Sequence, residues 1–119
     1  MKKDTKAIID EYWAALAREQ NYSAALDYYL PHSVLIDPIY GRFDGFEAIK
    51  GFLEQVTAEM AGLNVTFEVQ ETAGTGDVGW SQWIINLPNG ETKDGVSVYR
   101  FEDGRIAYQR DYIGGDSLM

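Results

Sequence analysis

The hydrophobic period of this chain changes once, at Gly62, and this change restricts the fold to one that combines helices with a sheet. Apolar residues recur at helical spacing before Gly62 and alternate with a period of two after it. Turn signals at Gly74-Thr-Gly-Asp77, Pro88-Asn-Gly90 and Glu102-Asp-Gly104 divide the second part into four strands. The predicted strands are 63–73, 78–87, 93–101 and 105–113. Strands joined by such short turns form an antiparallel meander, so the sequence predicts an α+β domain with its helices on one sheet face.

The part before Gly62 contains three predicted helices and one predicted strand. A first helix spans Asp4 to Arg18, a second spans Ser23 to Leu30, and a third follows the capping box Asp44–Glu47. A strand from His32 to Ile39 separates the last two helices, which gives the element order ααβαββββ. Because a sheet of this length twists strongly, helices laid on its concave face should enclose a cone-shaped space, and such a space suits a ligand.

Composition excludes several classes of function. The chain has 119 residues, enough for the single domain 1–119 that we expect, and it has no cysteine for a disulfide, a zinc-thiolate site or a thiol nucleophile. Its formal charge of −9 disfavours nucleic acid and anionic membranes. The single histidine and the dispersed carboxylates give no metal-ligand spacing, and the glycines lie outside any phosphate-binding context. We therefore expect neither a metal nor another cofactor.

The chain also shows no targeting or membrane-spanning segment. The residues from Met1 to Asp10 are charged and then amphipathic, without the apolar run of a signal peptide. Nowhere does an apolar stretch approach spanning length. We therefore expect the protein in the cytoplasm.

Asp37 and Tyr12 are candidate functional residues, each with an alternative structural role. Asp37 ends the first predicted strand in an apolar neighbourhood that suits a general base, yet an Asp-Pro pair also commonly ends a strand and stabilises a turn. Tyr12 lies on the apolar face of the first helix, where it could donate a hydrogen bond or belong to the core.

A second candidate carboxylate lies in the last strand. Alternation there groups Gln109, Asp111 and Ile113 on one face and Tyr108, Arg110 and Tyr112 on the other. If Asp111 faces inward, it is a second carboxylate in the predicted cone; otherwise it pairs with an arginine at the surface.

The chain resembles the nuclear transport factor 2-like superfamily in its element order and in three segments: Asp37-Pro38, Gly45-Phe-Glu-Ala-Ile49 and Arg110-Asp-Tyr112. Within it, the chain is similar to the branch that holds ketosteroid isomerases, SnoaL-like polyketide cyclases and limonene epoxide hydrolases. The resemblance covers nearly the whole chain and implies one SnoaL-like, ketosteroid isomerase-like domain. The superfamily supports different reactions, and sometimes none, in the same cone.

The resemblance also implies roles for individual residues. Tyr12 matches the tyrosine that donates to the dienolate oxygen in ketosteroid isomerases, and Asp37 matches their general base. Ser97 occupies the position of their protonated aspartate, which is a departure from that family. Asp111 matches the last aspartate of the Asp-Arg-Asp relay of epoxide hydrolases. The positions of the relay's arginine and first aspartate fall near Trp80 and Gln82, so these two relay residues are absent here, which is a further departure.

The resemblance further implies which residues line the cone and which face outward. Trp80 and Gln82 from one strand, with Ser97 and Tyr99 from the next, are predicted to line it. Tyr40, just after the Asp-Pro turn, is also included in this predicted substrate pocket. The residues predicted on the convex face are Trp83, Ile85, Val96 and Val98. Their burial against a second subunit predicts a homodimer.

These features predict a cofactor-independent acid-base enzyme of the isomerase or cyclase type. Its substrate would be a small apolar carbonyl compound or an epoxide in a buried pocket, with Asp37, Tyr12 and Asp111 as catalytic residues. Two alternatives stay open: a module that binds a small ligand or dimerises without turnover, and an epoxide hydrolase-like activity.

Overall fold

A computed structural model describes residues 4–19, 22–60, 62–63 and 65–114. These residues form two α-helices, one 3-10 helix and one six-stranded sheet. The helices are α1 (Thr5–Glu19), the 3-10 helix (Tyr22–Tyr28) and α2 (Phe46–Met60). The strands are β1 (Tyr29–Asp37), β2 (Gly41–Asp44), β3 (Thr66–Thr75), β4 (Val78–Asn86), β5 (Thr92–Glu102) and β6 (Arg105–Ile113).

The sheet has the order β2-β1-β6-β5-β4-β3 and is curved but not closed. Strands β3 to β6 form the antiparallel meander that the turn signals predicted, and β1 joins this meander by parallel pairing with β6. Helix α1 packs against β3 and β4, and α2 packs against β1 and β2. The two helices therefore cover one face of the sheet, here called the inner face, and the α+β class is confirmed.

The prediction of three helices is wrong, because the segment Ser23 to Leu30 forms a 3-10 helix that ends at Tyr28. Pro31 disfavours helical geometry in the residue before it, and the chain is already extended at Tyr29, which pairs with Ile106. Ser33 stabilises this early strand start: its Oγ accepts from the Leu30 amide at 2.7 Å and donates to the Ile106 carbonyl at 2.6 Å.

Strand β2 was not predicted. It pairs antiparallel with the end of β1, and Phe43 stacks on Phe52 of α2 with ring centroids 4.3 Å apart. Gly41 and Gly45, at its two ends, have φ values of +100° and +92°, which a residue with a side chain adopts only with strain. The short strand thus anchors the β1 end of the sheet to α2.

Candidate functional site

Polar side chains cross the inner face of the sheet in a single row. Ser81, Ser97 and Asp111 are direct partners in the register of β4, β5 and β6. Ser81 and Ser97 are buried and Asp111 is partly buried. Asp37 on β1 continues the row. Ile36 and Arg110 are partners in the parallel register of β1 and β6, so the next residues, Asp37 and Asp111, lie side by side. We call these four residues the polar row.

The carboxyl group of Asp111, in the polar row, has a raised pKa. Its Oδ1 accepts hydrogen bonds from Ser97 Oγ at 2.6 Å and from Gln109 Nε2 at 3.0 Å. Burial is the largest influence and raises the pKa of Asp111 to about 6; the two hydrogen bonds oppose this, and the charge of Asp37 adds to it. Asp111 can therefore gain or lose a proton near neutral pH.

A chain of hydrogen bonds extends from Asp111 in both directions. On one side, the Tyr29 hydroxyl donates to Gln109 Oε1 at 2.5 Å and lies 3.3 Å from the Tyr12 hydroxyl. On the other side, Trp83 Nε1 donates to Ser97 Oγ at 3.0 Å. We call this set the Asp111 network; its members are Tyr12, Tyr29, Gln109, Asp111, Ser97 and Trp83.

Phenol groups near the Asp111 network are held in the protonated form. Burial raises the pKa of Tyr29 and of Tyr99 well above the ordinary tyrosine value, and the Tyr12 hydroxyl raises both further. The Tyr99 hydroxyl lies 2.8 Å from Ser81 Oγ. The site therefore supplies neutral hydrogen-bond donors beside a carboxyl group that titrates near neutrality.

Asp37 lies beside Asp111, but it also has the local role that a strand-ending Asp-Pro pair suggests. Its Oδ2 accepts from the backbone amides of Ile39 at 2.8 Å and Tyr40 at 2.9 Å, which closes the turn after β1. Asp37 is partly buried at this end of the strand. The structural role predicted as an alternative is therefore present together with proximity to Asp111.

The structure separates the predicted pocket residues into three places. Ser97 and Tyr99 lie buried on the inner face of the sheet. Trp80 and Gln82 lie on the opposite face, here called the outer face, because they pair with Val98 and Val96 next to the inner-facing Ser97 and Tyr99. The predicted placement of Trp80 and Gln82 in the cone is therefore wrong.

Tyr40 lies at the exposed end of β1. It is 42% exposed, and its hydroxyl donates to Glu59 near the end of α2 at 2.9 Å. The hydrogen bond to that carboxylate, followed by its charge, raises the pKa of Tyr40. Tyr40 therefore lies at the rim of the sheet, where it contacts α2.

The predicted outward direction of Trp83 and Ile85 is also wrong, whereas Val96 and Val98 do face outward. Trp83 is only 4% exposed and shares the inner face with Ser81. The cause is steric: a Cβ atom at Gly79 would lie 2.6 Å from Ile9 of α1, so the inner side of β4 must carry small residues there. The small residues Gly79 and Ser81 were the sequence signal for the correct face.

Gly95 makes room for the indole of Trp83. A Cβ atom at this position would overlap the Trp83 ring, which is held by its bond to Ser97. We expect Gly95→Ala to lower the free energy of unfolding by about 2–3 kcal/mol in urea denaturation, because the ring or the strand must shift.

Gly51 provides the matched control, since a Cβ atom there meets nothing within 4 Å on the exposed side of α2. Gly51→Ala should raise stability by about 0.5–1 kcal/mol through helix propensity. Equal effects of the two substitutions would contradict the close contact between Gly95 and Trp83.

Three members of the Asp111 network were not predicted as site residues. Tyr29 was hidden within the wrongly predicted second helix. Gln109 was placed on the same strand face as Asp111, and that shared face was the available signal. Trp83 was assigned to the other face because both faces of β4 carry large apolar residues.

Two further findings concern ligands and membranes. In the described ranges, no group of three or more histidine, cysteine, aspartate or glutamate side chains is arranged to hold a metal ion. Neither described α-helix combines the length and the hydropathy that crossing a membrane requires.

Comparisons with known proteins agree on the fold. A family model described as a SnoaL-like domain matches residues 9–109. No curated protein matches the chain. Solved structures with high similarity include an NTF2-like protein from Cytophaga hutchinsonii, with 21% identity, a TM-score of 0.72, and coverage of 99% of this chain and 96% of that chain.

Two other similar structures contain small molecules. TerC, co-crystallized with polyporic acid, has 18% identity and a TM-score of 0.76, with coverage of 96% of this chain and 94% of TerC. A protein with a ketosteroid isomerase-like fold from Catenulispora acidiphila, in complex with trimethylamine, has 18% identity and a TM-score of 0.66 over 86% of this chain and 84% of that chain. At these identities the likeness establishes the fold alone.

Proposed function

This chain belongs to the SnoaL-like domain family, and on that basis we propose that it is an acid-base enzyme that works without a cofactor. Its substrate is a small, mainly apolar carbonyl compound or epoxide, and the reaction is of the isomerase or cyclase type. The observation that carries the proposal is a partly buried carboxyl group, Asp111, with a pKa of about 6 and two hydrogen-bond donors.

Asp111 takes the role of proton-transfer group that the family resemblance suggested for Asp37. Both protein donors reach Oδ1 of Asp111, so Oδ2 is the oxygen that meets the substrate. Asp37 is the second carboxylate; its charge favours the protonated form of Asp111 and so strengthens Asp111 as a base.

For a ketone substrate, the reaction starts when Asp111 Oδ2 removes a proton from the carbon next to the carbonyl. The C–H electron pair forms a carbon–carbon double bond, and negative charge moves to the carbonyl oxygen. A phenol stabilises this oxygen, and we assign that role to Tyr12, whose hydroxyl lies beside Tyr29 in the Asp111 network. The proton then returns from Asp111 to carbon and regenerates the carboxylate.

The test is the exchange of α protons for solvent deuterium in 2-tetralone, a small apolar ketone that enolises readily. Proton NMR in D₂O should show exchange catalysed by the wild-type protein above the buffer rate. If 2-tetralone binds but its α protons exchange only at the buffer rate, proton transfer at this site is contradicted.

A second candidate function is binding without turnover. It is favoured by the similar structures that contain polyporic acid and trimethylamine. In that case a ligand would bind, be recovered unchanged, and bind equally well to the Asp111→Asn variant, which keeps the shape of the site.

We also propose that the protein acts in the cytoplasm and has no nucleic-acid or membrane partner. The formal charge of −9 supports the absence of both anionic partners. The small ligand and a second copy of the chain are the partners that we propose.

A homodimer remains our proposal, through the outer face of the sheet. Apolar side chains occupy the middle of this face in register across β4, β5 and β6: Trp80, Ile84, Val96, Val98 and Tyr112. Near one end they border a groove of about 710 Å³ that also includes Arg100 and Tyr108. An apolar face of this kind is typical of a surface that a second subunit covers.

Charges on the outer face are separated along the strands. Arg100 and Arg110 lie toward one end, with their guanidinium groups 5.9 and 5.1 Å from the ring centroids of Tyr108 and Tyr112. The register places Glu71, Glu68 and Asp94 toward the other end. A two-fold axis that passes through the apolar middle and runs across the strands would bring the basic end of each copy against the acidic end of its partner.

Charge reversal tests this arrangement. We expect Arg100→Glu/Arg110→Glu and Glu68→Lys/Glu71→Lys/Asp94→Lys each to be monomeric in sedimentation velocity at micromolar concentration, because like charges then oppose each other. An equimolar mixture of the two variants should form a heterodimer, since opposite charges meet again. A monomeric wild-type protein, or a mixture that stays monomeric, would contradict the proposed arrangement.

A further inference from the structure

Gln109 on β6 lies between Tyr29 and Asp111, and its amide contacts both. Its Oε1 accepts from the Tyr29 hydroxyl at 2.5 Å, and its Nε2 donates to Asp111 Oδ1 at 3.0 Å. Gln109 and Tyr29 are both buried. An amide oxygen can only accept a hydrogen bond and an amide nitrogen can only donate one. The contact at one end of the amide therefore determines which atom faces the residue at the other end.

The reversed orientation of this amide is compatible with only one state of Asp111. It would place Oε1 against the carboxyl group, where an ionised Asp111 would bring two acceptors into contact and a protonated Asp111 would donate. The Tyr29 hydroxyl opposes this reversal, because it gives its single hydrogen to Oε1 and would then need another acceptor. Tyr29 therefore favours the donating orientation of Gln109 in both states of Asp111.

Ser97 is a second donor to Asp111, and its direction is also set by a neighbour. Trp83 Nε1, which can only donate, gives its hydrogen to Ser97 Oγ at 3.0 Å. The Ser97 hydroxyl donates in turn to Asp111 Oδ1 at 2.6 Å. Two donors therefore occupy Oδ1, and an acid proton on that oxygen would displace one of them. A protonated Asp111 must then carry its proton on Oδ2.

Several elements contribute titratable groups around Asp111 and Gln109. Among the described residues these are Asp37 and Tyr29 of β1, Tyr12 of α1 and Tyr99 of β5. Burial raises the pKa of Tyr29 and of Tyr99, so both stay neutral in the range where Asp111 titrates. Asp37 supplies a charge, and its own contacts are with the amides of the turn after β1. Substitution of Tyr29 or Gln109 therefore leaves the effect of Asp37 in place.

We propose that Tyr29 and Gln109 are positioning residues that keep the proton of Asp111 on Oδ2, the oxygen that meets the substrate. A proton taken from the substrate carbon then stays on the oxygen that received it and returns to carbon without rotation of the carboxyl group. Rotation would break the hydrogen bonds from Ser97 and Gln109. The link to the substrate rests on the proposed function, whereas the position of the proton is measured on the protein alone.

Neutron crystallography of the wild-type protein in D₂O, below the midpoint of Asp111, shows the position of the proton directly. We expect deuterium on Asp111 Oδ2, and we expect the Gln109 side-chain atom that faces Asp111 to carry two deuterium atoms. Deuterium on Oδ1, or an amide whose oxygen faces Asp111, would overturn the proposal. This measurement needs no substitution, so it decides the question even if a variant fails to fold.

Carbon-13 NMR of the Asp111 carboxyl group tests whether Tyr29 acts through Gln109. Gln109→Met removes the amide at nearly unchanged length and should raise the midpoint by about one pH unit, a tenfold change in proton affinity, because the ionised form loses a donor. Tyr29→Phe should raise the midpoint by about half a unit, because the amide is then free to turn. In the double variant, the midpoint should equal that of Gln109→Met alone.

Tyr28→Phe is the matched control for the loss of a hydroxyl group. Tyr28 precedes Tyr29 and packs edge-on against the Tyr12 ring, with centroids 5.9 Å apart, so this substitution should leave the Asp111 midpoint unchanged. An unchanged midpoint in Tyr29→Phe, an equal shift in Tyr28→Phe, or a double variant in which the two shifts add would overturn the positioning role of Tyr29.

The outcomes also separate this inference from the proposed function. Deuterium on Oδ2 in a protein that does not catalyse the exchange of 2-tetralone supports the positioning and contradicts proton transfer. Catalysed exchange in a protein that carries the deuterium on Oδ1 supports proton transfer and overturns the positioning.

Discussion

Asp111→Asn is expected to slow the deuterium exchange of 2-tetralone by about 10³-fold, within the range that general acid-base groups contribute. An asparagine oxygen can still accept from Ser97 and Gln109, so the surroundings of the side chain are preserved. The amide cannot take the substrate proton. The wild-type rate should rise with pH through a midpoint of about 6, where Asp111 ionises, and then level off.

Asp37→Asn is the control that separates the two carboxylates. Its side-chain oxygen can still accept from the amides of Ile39 and Tyr40, so the turn is kept. Loss of the neighbouring charge should lower the pKa of Asp111, so the midpoint of the pH profile should move down and the exchange rate should fall much less than in Asp111→Asn. The reverse order of effects would return the role of base to Asp37, as the sequence predicted.

The same substitution, Asp111→Asn, should stabilise the folded protein at pH 8 by on the order of 2 kcal/mol. The pKa of Asp111 is raised to about 6 in the folded state from the ordinary aspartate value of about 3.9, so the folded state binds the proton more tightly than the unfolded state. Stability from this group is therefore lost as pH rises from about 4 to above 6. Asparagine removes that loss.

Urea denaturation at pH 4 and pH 8 measures this effect. The difference between Asp111→Asn and the wild type should be small at pH 4 and large at pH 8. Glu54→Gln, at an exposed position of α2, should change stability little at either pH. An Asp111→Asn protein that is less stable than the wild type at pH 8 would contradict a destabilising effect of the partly buried carboxylate charge.

The architecture was largely predictable from local patterns, because the meander depends on turns and on a period of two. Alternation did not predict which face of β4 points inward, because both faces carry large apolar residues: Trp80 and Ile84 on one, Trp83 and Ile85 on the other. A shift of one residue reverses every side chain of a strand. Steric contact between Gly79 and Ile9 decides the face, and it requires the position of α1.

The candidate site was predictable only in part, for a related reason. Asp37 could be selected from the sequence because it precedes Pro38. In the structure, the backbone amides of the turn that follows donate hydrogen bonds to its Oδ2. The properties of Asp111 depend on burial and on Ser97, Gln109 and Asp37 from three strands. No local pattern contains that information. The sequence therefore left two alternatives open for Asp111: a position inside the predicted cone, or a surface pair with an arginine.

The central claim is that Asp111 titrates near neutral pH within the folded protein. Carbon-13 NMR of the aspartate carboxyl groups measures this directly, with Asp111→Asn to assign the resonance. The account predicts a midpoint of about 6 for Asp111. A midpoint near the ordinary aspartate value of about 3.9 would contradict it.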